Sequence, residues 1–550
     1  MRFAAPIAVA IALAATLTAQ DAAAATKTVC TITVNSPDER EIFRRYLPAD
    51  QYRFVELVER GRADWLASAC RKDVRCDVLV ISGHFDGGDV FYTDRFDQNE
   101  SLPTDELDRV ACSESCPGLF SQLKEVYLFG CNTLNAQPTR TASAEIGRSL
   151  IRAGHSPAEA AQLARALEAR YAESNRDRMR QIFRDVPVIY GFSSKAPLGR
   201  NAAPLLERHF QSGSDAEFGS GRASAKLVNL FAPSSMTLAS GIAPTDATAP
   251  FRDDVCHFAD DRLSTANKLD FVHRLLGREI AEVRFALDHI EKYITSISDA
   301  DRQSPSVARA LDSIARDTRA RSRFLEFARD ADEPSTRARM IELAAHLGWL
   351  SPDGLRAEQL QMIHNLIARH EVHASEVSLV CALNRDGALG REPAVKRFPP
   401  PSTVGEAAVL ACLGDADAHA SVVRALTGKH DEDVQIAQVY LRHRPVDATE
   451  LRTVASAIAL MSGPDAQVRA LDTLAHLRLS DGDILQDLAR LFAVAKSVSV
   501  QRAIAGILIR ADFHALAKPE LVRALRQTRI KSPDGEDVID ILIRRLQASI

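Results

Sequence analysis

Val78-Leu79-Val80-Ile81-Ser82-Gly83-His84 and its counterpart Val126-Tyr127-Leu128-Phe129-Gly130-Cys131-Asn132-Thr133 decide how the first half of this chain reads. Each begins with four apolar residues, rich in β-branched and aromatic types, and each is closed by Gly and small polar residues. Such runs read as strands buried on both faces. Strands of that kind belong to parallel sheets with helices on each side. In these sheets ligands bind beyond the carboxyl ends of the strands. His84 and Cys131 both stand at that edge. A thiol beside an imidazole is the minimum equipment for a thiolate nucleophile with its own base.

Outward from this pair the signals alternate. Residues 27–35 alternate as a strand. Ser36-Pro37-Asp38 then opens a helix, with Pro in the first turn and acids early. Residues 52–58 read as a strand or short helix, and 63–72 as a helix. The order strand, helix, strand, helix, strand implies right-handed crossovers and a parallel sheet. Residues 85–101 form a loop or hairpin. Helices are expected over 104–123, interrupted at Cys116-Pro117-Gly118, and over 142–153 and 156–183. Val186-Pro187-Val188-Ile189-Tyr190 is a further strand, and its proline puts it near an edge or makes it start late.

A strand leading to Gly-His, then a strand leading to Gly-Cys, resembles the caspase-like cysteine peptidases, among them caspases, gingipains, legumains, separase and CHAT-domain proteases. In caspases the histidine precedes the cysteine by about 50 residues, and His84 precedes Cys131 by roughly that. The resemblance covers about residues 27–215. It implies a caspase-like α/β parallel-sheet sandwich and peptide-bond hydrolysis, with His84 and Cys131 as the catalytic pair. It implies further that Gly83 and Gly130 help shape the oxyanion hole, and that Ser193, Ser194 and Lys195 line a pocket for the substrate side chain. One departure stands out: Phe85 follows His84, where the family has Gly. A second reading is a degenerate module of this fold without activity.

Length and composition set the frame. At 550 residues the chain exceeds one ordinary domain. Apolar residues make up 46% and charged residues 26%, enough for real cores. The net charge of −5 has no long single-sign block, so no nucleic-acid or polybasic membrane partner is indicated. Arg2 precedes an apolar stretch and small residues, so 1–25 reads as a secretory signal peptide and the protein as periplasmic or secreted. Nine cysteines fit export. Two disulfides are expected among Cys70, Cys76, Cys112 and Cys116, with connectivity open, and the odd count leaves a thiol free, for which Cys131 is the candidate. Zinc is poorly served by the spacing of those four cysteines. His364, His370 and His373 stand near one another without carboxylates at metal spacing. No metal and no cofactor is assigned.

Residues 26–215 are thus expected as the α/β domain and 216–258, rich in Ser, Ala, Gly and Pro, as a linker. Residues 259–550 are expected as an all-α domain, helix after helix with short polar breaks. Within it Asp433-Val434-Gln435-Ile436-Ala437, Gln467-Val468-Arg469-Ala470-Leu471 and Val500-Gln501-Arg502-Ala503-Ile504 recur at 32–34-residue spacing. This resembles HEAT repeats, and implies a solenoid that presents a surface to a protein partner. For substrate preference, Asp86, Asp89, Asp94 and Asp97 would suit a basic side chain, and Lys195 and Arg200 an acidic one. The segment 211–255 is an expected site of self-cleavage.

Overall fold

The computed structural model describes residues 26–548, except 58–64, 86, 88, 94–99, 114, 139–142, 172–173, 214–216, 370–371, 390–397, 429, 445–447, 462, 476–478, 512–518 and 531–537. The signal-peptide reading of 1–25 lies outside the described residues, as do Asp86, Asp94, Asp97 and His370. The chain divides into two compact units, one ending at Ala310 and one beginning at Leu311.

The first unit is built on a six-stranded sheet of order β2-β1-β3-β6-β7-β8. Its strands are β1 (Lys27–Thr33), β2 (Tyr52–Glu56), β3 (Val78–Ser82), β6 (Glu125–Phe129), β7 (Val188–Phe192) and β8 (Met236–Ala239). The first five run parallel, and β8 pairs antiparallel with β7. β4 (Val90–Tyr92) and β5 (Ser101–Pro103) pair as a separate antiparallel two-stranded sheet, the hairpin alternative of the two left open after His84. All five residues of β3 and of β6 are buried.

Alternation within these strands explains the two-sided burial. Val78 and Val80 face a core with Ile42, Phe43, Tyr127, Phe129, Leu206 and Phe210. Leu79 and Ile81 face the other, with Leu66, Leu107, Val110, Met179 and Ile182. Thus α1 (Asp38–Tyr46) and α7 (Gly199–Gln211) cover one face. The other is covered by α2 (Trp65–Arg71), α3 (Thr104–Cys112) and α6 (Asn175–Ile182). α4 (Ser143–Arg152) and α5 (Pro157–Tyr171) come between α3 and α6 in the chain. β7 starts at Val188, just after Pro187, whose missing N–H a ladder position would need.

Two expectations are corrected. The 156–183 stretch is two helices, because Ser174 caps α6 through its Oγ, which accepts from the Asp177 amide (3.1 Å). The 216–258 stretch is no linker. It supplies α8 (Ala225–Leu230), the sixth strand β8 and α9 (Ala249–Ala259), and it buries Leu227, Phe231, Met236, Ile242 and Phe251. A few large apolar residues spaced among small ones carry that packing, and a four-residue strand is too short to show a period. The first unit then continues through α10 (Thr265–Leu276), α11 (Ile280–Phe285) and α12 (Leu287–Ser296).

In the second unit every described element from Thr318 onward is a helix. Helices Asp431–His443, Pro464–Ala475, Val498–Arg510 and Val538–Ala548 pack each on the next, and Ala448–Leu460, Gly482–Val494 and Pro519–Thr528 form a second such row. Two glutamines of these segments, Gln467 and Gln501, have a common physical task. Gln467 Nε2 donates to the Ile458 carbonyl (3.2 Å) and Gln501 Nε2 to the Phe492 carbonyl (3.0 Å), the same nine-residue reach in both cases. Each closes an open carbonyl near the end of the preceding helix.

Disulfides pair Cys30 with Cys76, Cys70 with Cys116, Cys112 with Cys256 and Cys381 with Cys412. Cys131 is the free cysteine. Of the four expected partners, only Cys70 and Cys116 pair together. Cys76 reaches back to β1 and Cys112 forward to α9, contacts that only the sheet and the misread 216–258 stretch create. Four disulfides mark a chain suited to an oxidising compartment outside the cytosol. Among the described residues no helix is long and apolar enough to cross a membrane.

Candidate active site

Strand register brings the two reactive residues together. β3 and β6 are neighbours, and Ser82 stands beside Phe129. The Gly83 amide extends the ladder by donating to the Phe129 carbonyl (3.1 Å). His84 and Cys131 are the second residues beyond those strand ends, and both line one cleft of about 130 Å³. The cleft is also lined by Asn35, Ser36 and Glu39 from the end of β1 and the start of α1, by Ser82, Gly83, Phe129 and Gly130, and by residues 196–199.

Each partner is held from outside the cleft. The His84 backbone exchanges both hydrogen bonds with Tyr92 (2.9 Å each), which ties it to the β4–β5 hairpin. Cys131 leads into a loop pinned to the end of β7. The Asn132 amide donates to the Ser194 carbonyl (2.6 Å), the Leu134 amide to the Phe192 carbonyl (3.0 Å), and the Phe192 amide to Thr133 Oγ1 (3.0 Å). Asn132 takes a left-handed conformation, φ 58°, and its carbonyl accepts from Asn175 Nδ2 (3.1 Å). Cys131 is half-buried, and its Sγ accepts from the Ala196 amide (3.3 Å), which fixes the side chain's direction.

Phe85 has a structural cause. It is buried and stacks near Phe91, ring centroids 4.7 Å apart. Gly130 makes room for it: a Cβ there would meet Phe85 Cβ at 2.8 Å and the Gly83 carbonyl at 3.0 Å.

Of the residues read from the sequence, Gly83, His84, Gly130 and Cys131 line the cleft. Ser193, Ser194 and Lys195 do not: they are exposed, Ser193 and Ser194 are tied to Ser235, and the lining begins at Ala196. Arg200 is likewise exposed and outside the lining. Asp89 is engaged elsewhere, by Arg178 (2.5 Å) and Lys292 (2.8 Å).

Glu39 was not foreseen. It is buried, and Ser82 Oγ lies 2.9 Å from its Oε2. Burial pushes its carboxyl up to about 7. A signal existed: Glu39, Ile42 and Phe43 share one helical face, so the apolar stripe of α1 carries the acid inward. Among the described residues no group of three or more metal-ligating side chains forms. Compared with protein families, curated proteins and solved structures, the chain has no match.

Proposed function

We propose that this chain is an exported cysteine endopeptidase of the caspase-like type, with Cys131 as nucleophile and His84 as its acid and base. One observation carries the reading: the cysteine outside the four disulfides lines the same cleft as His84, at the ends of adjacent parallel strands. His84 takes the thiol proton and the sulphur adds to the scissile carbonyl. His84 then returns the proton to the departing amine as the C–N bond breaks. Water hydrolyses the resulting thioester. The rows of packed helices in the second unit support the companion reading of a HEAT-like solenoid that recognises protein.

Buried Phe85 favours the second reading, a caspase-like fold retained without activity and serving as a binding scaffold. Iodoacetamide labelling of Cys131, followed site by site by mass spectrometry, separates the two. The peptidase reading expects labelling to slow at least about tenfold in His84→Ala, since the thiolate is the reacting species. Equal rates in both proteins would move the conclusion to the scaffold.

A further inference from the structure

Buried carboxyls ordinarily have a cation or several donors, because an isolated charge away from water is costly. Glu39 has no cation among its described neighbours. Only 2% of it is exposed; its own backbone N–H and the Ser82 hydroxyl are its donors, and a second acid, Asp38, repels it. Ser82 Oγ has one proton and two acceptors, Glu39 Oε2 at 2.9 Å and the Ser36 carbonyl at 3.0 Å. Arg40, next in sequence, is turned to Glu41 and Glu56, at 2.8 Å each. The cleft that Glu39 lines has no lysine or arginine among its described lining residues. Its lining also includes the apolar run Ala196, Pro197 and Leu198, and Leu198 is 45% exposed.

An apolar run lining the same cleft as a carboxyl without a counter-ion fits a side chain with an aliphatic stem and a cationic head. We infer that Glu39 is the specificity-determining residue of the Cys131 cleft, selecting a substrate with lysine or arginine next to the cleaved bond. This rests on the peptidase reading above. A neutral isostere gains no charge-assisted hydrogen bond there, and an acidic side chain meets repulsion. In the free protein the Ser82 hydroxyl, shared with the Ser36 carbonyl, is the side-chain donor that reaches Glu39 Oε2. Burial keeps the carboxyl at about 7, so an arriving cation meets a group readily ionised at neutral pH. Glu39 is also the second residue of α1, where the helix N-terminus favours negative charge.

The test uses the full-length chain and two peptidyl acyloxymethyl ketones that differ only in lysine or norleucine beside the reactive carbon. The readout is the ratio of Cys131 labelling rates. The expected ratio is about tenfold to hundredfold in favour of lysine, the span of one hydrogen bond to a charged group. Glu39→Gln should collapse it. Because the ratio is read within one preparation, partial unfolding of the variant does not imitate that collapse, and the natural chain's ratio decides the matter even where the variant is lost. A ratio near one in the natural chain overturns the inference and leaves His84-dependent alkylation, and so the peptidase reading, standing. A ratio that persists in Glu39→Gln overturns it too, since the cation is then read elsewhere. No labelling by either ketone, with iodoacetamide indifferent to His84, overturns the peptidase reading and this inference with it.

Discussion

Glu39 leaves a signature that needs no substrate. Its carboxyl titrates at about 7 in the folded chain against an ordinary value of 4.5. Between those values the folded chain holds the proton more tightly than the unfolded one. Glu39 therefore adds stability below about pH 4.5, and the contribution fades as pH rises through about 7. Glutamine can donate to Ser82 at every pH. The melting temperature of Glu39→Gln relative to the natural chain should accordingly climb as pH is raised from 4.5 to 7.5. A difference that stays flat would mean that the acid is not desolvated. Gly130 is the other informative residue. A methyl group there strikes Phe85 Cβ and the Gly83 carbonyl, so Gly130→Ala should cost about 1–3 kcal/mol in denaturant unfolding. Cys131 follows it directly, so its alkylation rate should change as well.

Among elements, the hairpin after His84 is fastened by charge. Asp89 precedes β4, and Asp105 and Asp108 lie on α3; all three meet Arg178 of α6. Lys292 of α12 bonds Asp89 and Asp105 as well. Arg178 and Asp108 are nearly buried, whereas Asp89 and Asp105 are about half exposed and count for less. Burial raises the Asp108 carboxyl to about 6. Removing Arg178 above that pH strands a buried charge. Arg178→Met should cost about 3–5 kcal/mol near pH 7.5, and adding Asp108→Asn should recover part of it. A strictly additive double variant would show that the two do not communicate.

The same elements show what the sequence could tell. β3 and β6 were legible because two-sided burial leaves an unbroken apolar run, and His84 and Cys131 followed from where those runs end. β8 was not legible, since Met236–Ala239 has only one partner and no period. The remainder of the cleft escaped for a related reason. Residues 196–199 and Glu39 reach it through the packing of α7 on α1, and Gly199 sits so close to Ser36 that an added Cβ would lie 2.8 Å from the Ser36 Cβ. Such contacts are set by tertiary distance, and local pattern carries no trace of them. Asp89, the described one of the acids after His84, is ion-paired instead, and ion-paired and free aspartates look alike in sequence.

Across the molecule, the cysteines give a count that is simple to check. Native protein without reductant should take up one equivalent of iodoacetamide, at Cys131, while denatured and reduced protein should take up nine. Two equivalents in the native state would mean that one thiol of a pair escapes oxidation. Disulfide spans differ in kind. Cys30–Cys76 and Cys70–Cys116 each close over 46 residues, whereas Cys112–Cys256 closes over 144. A chain released N-terminus first therefore presents Cys112 and Cys131 together well before Cys256 arrives. Their premature union would consume the proposed nucleophile and strand α9. Maturation then turns on timing and proofreading: thiol–disulfide exchange would have to undo any such union before Cys112 can meet Cys256.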